Sequence, residues 1–234
     1  MPNSALNFCD TVPNRTTLRG MRLFVGIPLP DALLQELAAA VECLRSARGE
    51  QRQGSDGLRW TAPESWHITL QFLGSATAEQ LDCLNARLGE VRSDAVPIQL
   101  GDLGCFDRAG VLFASVTVTP ELAALQQKVL AATARCRFVA EDRPFHPHIT
   151  LARSKGHRGG PDLQKLLKKL DAQPASARFV AREFLLYESH LVRECARYEV
   201  KRRFDLHNRP PTVAANQFAL KQDDNEQNPG NFSR

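Results

Sequence analysis

His67-Ile68-Thr69-Leu70 recurs, letter for letter, as His148-Ile149-Thr150-Leu151, 81 residues further along the chain. The chain has six His and four Ile, and two of each sit in these tetrapeptides, so composition does not account for the repeat. Each copy alternates polar and apolar, the period of a half-buried strand. Side chains i and i+2 of a strand point the same way, about 6.5–7 Å apart. Each copy therefore sets an imidazole and a hydroxyl on one face and turns Ile and Leu to a core. Two copies facing one cleft would surround a small anion with two imidazoles and two hydroxyls.

The surroundings of the two copies also correspond. In the first half, residues 22–29 read as a strand, and 32–46 as a helix with Leu33, Leu34, Leu37, Val41 and Leu44 on one face and Asp31 as N-cap. A Gly-, Ser- and Arg-rich loop over 47–57 leads to a short strand from Arg59 to Thr61. The first motif strand covers 66–73 and is expected to close at Gly74, followed by a helix over 77–92 and a strand from Val96 to Leu100. In the second half, strands from Leu103 to Arg108 and Val111 to Val118 flank a turn at Asp107–Gly110. Pro120 opens a helix over 120–135, and the second motif strand covers Phe145 to Arg153. A helix over 161–171 and strands from Arg178 to Ser189 and Tyr198 to Leu206 complete the pattern. This is a duplication, not a solenoid, because the copies are too few and too long. It predicts an α+β fold, bilobal with pseudo-two-fold symmetry, in which two antiparallel sheets surround a central cleft and helices lie outside. The lobes are interleaved within one domain spanning 21–206.

Composition sets the frame. Of 234 residues, 43% are hydrophobic and 24% charged, which is globular and allows a sizeable core. The net charge of +4 tolerates a polyanionic partner without demanding one. Residues 1–20 are polar and lack an apolar signal core, so they read as a disordered extension, or Met21 is the true start. Residues 207–234, rich in Asn, Gln, Asp and Pro, read as a disordered tail. No apolar run approaches the roughly 18–20 residues that span a bilayer. Six cysteines at 9, 43, 83, 105, 136 and 195 form no C-x-x-C pair. They are read as reduced thiols of a cytoplasmic protein, with neither a zinc site nor a disulfide framework.

An unperturbed imidazole titrates near pH 6.5, so modest shifts leave one ring neutral and its neighbour protonated. The neutral ring can take a proton from water while the charged one gives a proton to a leaving oxygen. The hydroxyls of Thr69 and Thr150 would hold phosphate oxygens. Arg153, five residues after His148, is a further candidate anion clamp, although strict alternation starts it on the other face. No cofactor or metal is required by this set. A zinc site from His146, His148 and His67 is a weaker alternative, with His146 read instead as a strand-edge hydrogen-bonding residue. Trp66, Phe72 and Phe145 are expected to pack mostly in the core, with Phe145 the candidate to stack a base. Lys165–Lys169 and Lys201-Arg202-Arg203 are read as solvated faces before RNA guides. His157, His190 and His207 are expected at the surface.

On these residues the chain resembles the 2H phosphoesterases, and within them the RNA 2′,3′-cyclic phosphodiesterases historically called 2′-5′ RNA ligases. The resemblance runs from Met21 to about Leu206. It includes Met21-Arg22-Leu23-Phe24-Val25-Gly26-Ile27-Pro28, then Trp66 through Gly74, then Phe145 through Arg153, and the closing strands. It implies that His148 is the general base and His67 the general acid, with Thr69, Thr150 and Arg153 on the phosphate. The implied substrate is RNA with a 2′,3′-cyclic phosphate end, single-stranded or tRNA-derived, opened to a 2′-phosphomonoester. The same groups could run the step in reverse as 2′-5′ ligation. A monomer with no membrane or obligate protein partner is expected. A phosphodiesterase for 2′-5′ oligonucleotides, or a module that binds RNA ends without turnover, are the rival readings.

Overall fold

The computed structural model describes residues 20–47, 58–154, 177–191 and 196–206. The first 19 residues, the helix expected over 161–171, the loop beyond residue 47, His157, Lys165–Lys169 and the tail from 207 lie outside them. Among the described residues nine strands and three α-helices follow in the order β1 (Met21–Pro28), α1 (Asp31–Ala47), β2 (Leu58–Trp60), β3 (His67–Ala76), α2 (Ala78–Leu88), β4 (Val96–Phe106), β5 (Val111–Val116), α3 (Pro120–Ala134), β6 (His148–Ser154), β7 (Arg178–Ala181), β8 (Glu183–Leu191) and β9 (Ala196–Asp205). They form two antiparallel sheets, ordered β3-β1-β8-β9 and β2-β6-β5-β4-β7. The run β6-β5-β4-β7 repeats the arrangement of β3-β1-β8-β9. Among the described strands only β2 lacks a counterpart. The lobes exchange strands: β8 and β9 complete the sheet of the first motif, and β2 extends the sheet of the second.

The main core takes one face of each sheet. Val25, Ile27, Ile68 and Leu70 join Ala114, Ile149 and Leu151, together with Leu84 and Leu88 of α2 and Leu122, Leu125 and Val129 of α3. The motif isoleucines and leucines are thus buried as alternation requires, which leaves the histidines and threonines on the opposite faces. Local signals end the helices where they should. Thr77 and Gln80 form a reciprocal capping box at α2. Thr119 caps α3, and Pro120 follows at its first turn, where its missing N–H costs nothing.

Several expectations change. The Pro30 carbonyl accepts the first helical bond of α1 from Leu34, so Asp31 lies inside the first turn instead of capping it. β3 does not stop at Gly74. It passes through that residue at φ +74°, a left-handed conformation open to glycine, and ends at Ala76. β4 is continuous from Val96 to Phe106, with a register irregularity between Leu100 and Leu103 in place of the expected break. The segment read as one strand over 178–189 is two, because the chain leaves one sheet at Ala181 and enters the other at Glu183. The cysteine reading is corrected as well. Cys83 of α2 and Cys136, just beyond α3, form a disulfide. These residues are 53 apart in sequence, and only the packing of α2 on α3 brings them together. Cys43 is a free thiol, and the Cys105 thiol donates to the Asp107 carboxylate at 3.0 Å. Among the described residues no helix is long and apolar enough to cross a membrane.

Candidate active site

β3 and β6 approach each other where the two sheets meet. Each carries its motif with the same local devices. The His67 Nδ1–H donates to the Ser65 carbonyl at 2.8 Å, and the His148 Nδ1–H donates to the His146 carbonyl at 2.8 Å. A carbonyl only accepts, so this bond places the proton of the neutral ring on Nδ1 and leaves Nε2 as the lone-pair nitrogen. Both imidazoles are therefore oriented, with Nε2 available for proton transfer.

Each strand also has an extra residue directly after the motif threonine. Opposite β3, Gly26 pairs with Thr69 and Val25 with Gln71, so Leu70 is the additional residue. Opposite β6, Phe113 pairs with Thr150 and Leu112 with Ala152, so Leu151 is the additional one. Such a bulge turns the following side chains by one position. It brings residue i+5 onto the face of the histidine, which strict alternation denies. In the second lobe that residue is Arg153. In the first lobe it is Phe72, 54% exposed, its ring 6.2 Å from that of Phe24 on the His67 face.

Aromatic rings wall both imidazoles. Phe24, Tyr198 and Tyr187 lie with centroids 4.6, 5.0 and 5.7 Å from His67. Phe106 and Phe113 lie 5.1 and 5.3 Å from His148. A glycine underlies each wall. A Cβ on Gly26 would come to 3.0 Å of the Ile68 carbonyl oxygen and 3.4 Å of the His67 ring, and one on Gly104 to 2.5 and 2.6 Å of Phe113 ring carbons. Gly104→Ala should force the Phe113 ring to move, lowering stability by about 1–3 kcal/mol. Because that ring touches His148, kcat should fall with it. Thermal unfolding and turnover of the variant check both effects, and a variant with wild-type stability and turnover would contradict the packing described.

Burial among these rings holds the His67 pKa down, from the ordinary 6.5 to about 4; the Ser65 carbonyl opposes the shift, and positive charge at His148 and Arg153 adds to it. Burial likewise lowers His148, opposed by the His146 carbonyl and reinforced by positive charge at His146 and Arg153. Burial raises Tyr198 against the pull of Arg153, so its phenol keeps its proton. The arrangement suits an anion, because its two rings resist protonation until a negative charge arrives. One consequence is a stability slope. The unfolded chain binds a proton at His67 near pH 6.5, whereas the folded chain refuses it until about pH 4. The stability attached to the neutral ring is complete above about pH 6.5 and is lost as pH falls toward 4, by about 3 kcal/mol in all. Urea unfolding of the wild type and of His67→Gln between pH 7.5 and 4 should show the difference between them moving against the wild type as the pH drops. A pH-independent difference would contradict the burial of this ring.

The sequence profile of the 2′-5′ RNA ligase superfamily matches residues 24–193, which include both motifs. The chain belongs to that superfamily. Among its relatives is the RNA 2′,3′-cyclic phosphodiesterase of Bacillus subtilis, 29% identical over 189 residues that cover 78% of this chain and 95% of the relative. That of Escherichia coli is 27% identical over 186 residues, covering 79% and 96%. The structure of Escherichia coli LigT complexed with 3′-AMP superposes with a TM-score of 0.64 at 27% identity, covering 80% of this chain and 98% of the other. LigT complexed with phosphate superposes at 0.59.

Within this 2′-5′ RNA ligase fold, five of the six site residues read from the sequence stand on the two motif strands, His67 with Thr69 on β3 and His148 with Thr150 and Arg153 on β6. Arg153 joins them, since its charge acts on both imidazoles and on Tyr198. Phe145 is half-buried against the main core. Trp66 is buried as expected, but Phe72 is not a core residue, because the bulge swings it out. The sequence reading misses Phe24, Phe106, Phe113, Tyr187 and Tyr198. Their signal is weak, since an aromatic residue suits a strand whichever face it occupies. His146 is exposed and serves through its backbone carbonyl, with its ring centroid 6.3 Å from that of His148. The one grouping of metal-ligand type among the described residues is Glu188, His190 and Glu199, not the three histidines of the zinc alternative. In it the Lys201 ammonium already lies 3.2 and 3.3 Å from the two carboxylates. His190 is half-exposed and bonded to Glu199. Arg203 is paired to Glu183 and Arg202 lies over the Phe204 ring, so within the cluster 201–203 Lys201 and Arg203 have carboxylate partners.

Proposed function

We propose that the protein is a hydrolase that opens RNA 2′,3′-cyclic phosphodiester ends to 2′-phosphomonoesters, through acid–base catalysis by His67 and His148. The observation that carries this reading is the matched pair of oriented imidazoles, each with Nε2 left for proton transfer and each on a strand face with a threonine hydroxyl, under the charge of Arg153. The relatives bearing the name RNA 2′,3′-cyclic phosphodiesterase supply the substrate class.

The step balances without further reactants. His148 Nε2 takes a proton from water as its oxygen attacks phosphorus. The bond from phosphorus to the 3′ oxygen breaks. His67, protonated under the influence of the bound phosphate anion, gives its proton to that oxygen. The depressed pKa of His67 makes its imidazolium a ready donor once formed. Thr69, Thr150 and Arg153 hold the non-bridging oxygens. The choice of His67 as acid and His148 as base follows the family resemblance, since the two rings are arranged alike. A 5′-hydroxyl in place of water would form a 2′-5′ linkage, and water at ~55 M favours hydrolysis unless two RNA ends are held together. The reacting phosphate sits between lobes of different character, an arginine on one side and the exposed Phe72 on the other. Phe72 and Phe145 are the candidates for stacking the terminal base.

The discriminating test offers the protein an oligoribonucleotide with a 2′,3′-cyclic phosphate end and, separately, a 2′-5′-linked oligoadenylate. Turnover of the cyclic end is expected. Turnover of the 2′-5′ linkage alone would replace this reading with that of a 2′-5′ phosphodiesterase. Tight binding of either without turnover would replace it with an end-binding module.

A further inference from the structure

The strand that breaks the pseudo-symmetry carries an arginine to the site. β2 lies on the free edge of β6, with Leu58 opposite Ser154, Arg59 opposite Arg153 and Trp60 opposite Ala152. Directly paired residues share a face, with Cβ atoms about 4.5–5.5 Å apart. Leu58 and Trp60 pack with Ala152 and Leu112 on the core side. Arg59 therefore projects on the other side, with Arg153 and the motif residues. It is exposed. The Thr61 N–H donates to the Leu151 carbonyl at 2.8 Å and fixes this edge beside the second motif. Like charges directly opposite each other destabilise a sheet. Among the described residues neither guanidinium has a carboxylate partner. Two such arginines at one register position, next to a phosphate site, form a surface for more than one phosphate.

The two arginines are not equivalent. Arg153 stands on β6, the motif strand itself, whereas Arg59 stands on β2, the outermost strand of that sheet. Arg59 thus lies one strand farther from the motif residues. Resting on the cyclic-phosphate reading above, we propose that Arg59 binds the next phosphate of the substrate, the one at the 5′ side of the terminal nucleotide, and so sets a preference for RNA chains over cyclic mononucleotides. An edge strand suits this role, because only an edge leaves room for a nucleic-acid backbone to run on past the sheet.

The test compares adenosine 2′,3′-cyclic phosphate with a diadenylate ending in 2′,3′-cyclic phosphate, the second probe differing by one internucleotide phosphate and its nucleoside. In Arg59→Ala the ratio of kcat/KM for the dinucleotide to that for the mononucleotide should fall about tenfold or more, mainly through KM, as expected for losing one charge-assisted hydrogen-bonded contact. Arg59→Glu should lower the ratio further, and Arg59→Lys should recover part of it. The log–log slope of dinucleotide KM on salt should shrink by about 0.7 in Arg59→Ala, the value for one phosphate of a single strand. An unchanged ratio, or an equal loss on both substrates, would overturn the role of Arg59 while leaving the reaction intact. No turnover of either substrate by the wild type would overturn the reaction itself, and the role of Arg59 with it.

Discussion

Replacing His67 or His148 by Ala should lower kcat on a cyclic-phosphate RNA end by about 10²–10⁴-fold each, the range for one general acid or base. The double variant should be little worse than either single one, because an acid and a base that act in the same step do not add. The geometry makes the effect specific to Nε2. In both rings the Nδ1–H is committed to a carbonyl two residues upstream, at 2.8 Å. His→Gln at either position keeps polar bulk yet offers no titrating nitrogen, and should be as inactive as Ala. Single-turnover rates separate this loss from a change in binding. A single variant that kept most of the wild-type rate would show that one imidazole does both jobs or neither.

Removal of Arg153 should act on two observables in opposite senses. Arg153→Ala should lower kcat/KM about 10²–10³-fold, as loss of a preorganised contact to developing phosphate charge does. It should also raise the pKa of both histidines in the free enzyme, because the guanidinium depresses each of them. Removing a neighbouring positive charge favours the protonated ring. Histidine NMR titrations read this directly. Arg153→Lys retains the charge without the planar fork, so it should keep the rings depressed and still lose much of the activity. Histidine titrations unmoved by Arg153→Ala would contradict the action of its charge on the two imidazoles.

Much of this site is legible in the amino-acid sequence, and the illegible part has a definite physical cause. The alternation within each tetrapeptide puts His67 and Thr69, and His148 and Thr150, on one face, with Ile68, Leu70, Ile149 and Leu151 in the core. Period-2 reasoning then fails two residues later. The extra residues at Leu70 and Leu151 shift the pleat, and nothing in Leu-Gln-Phe or Leu-Ala-Arg announces a bulge. That one device explains why alternation sets Arg153 on the wrong face and sends Phe72 to the core. Long-range pairings are equally hidden. The register of Arg59 with Arg153, and the bond of Cys83 to Cys136, depend on how distant segments pack. Residues 178–189 read as one strand because Phe179, Val180, Phe184, Leu185 and Leu186 all favour β structure, and only the sheets reveal the crossing at Arg182. The duplication itself, and the two-sheet architecture it implies, need no such information.

The most direct test of the two-histidine account is turnover, in the presence of EDTA, of an oligoribonucleotide ending in 2′,3′-cyclic phosphate, with the product isomer assigned by phosphorus NMR. The expected product is a 2′-phosphomonoester, formed at an undiminished rate by the wild type and at a negligible one by His67→Ala and His148→Ala. A 3′-phosphomonoester would reverse the leaving oxygen and with it the proton donor's position. Turnover that needed added metal would contradict catalysis by the paired imidazoles.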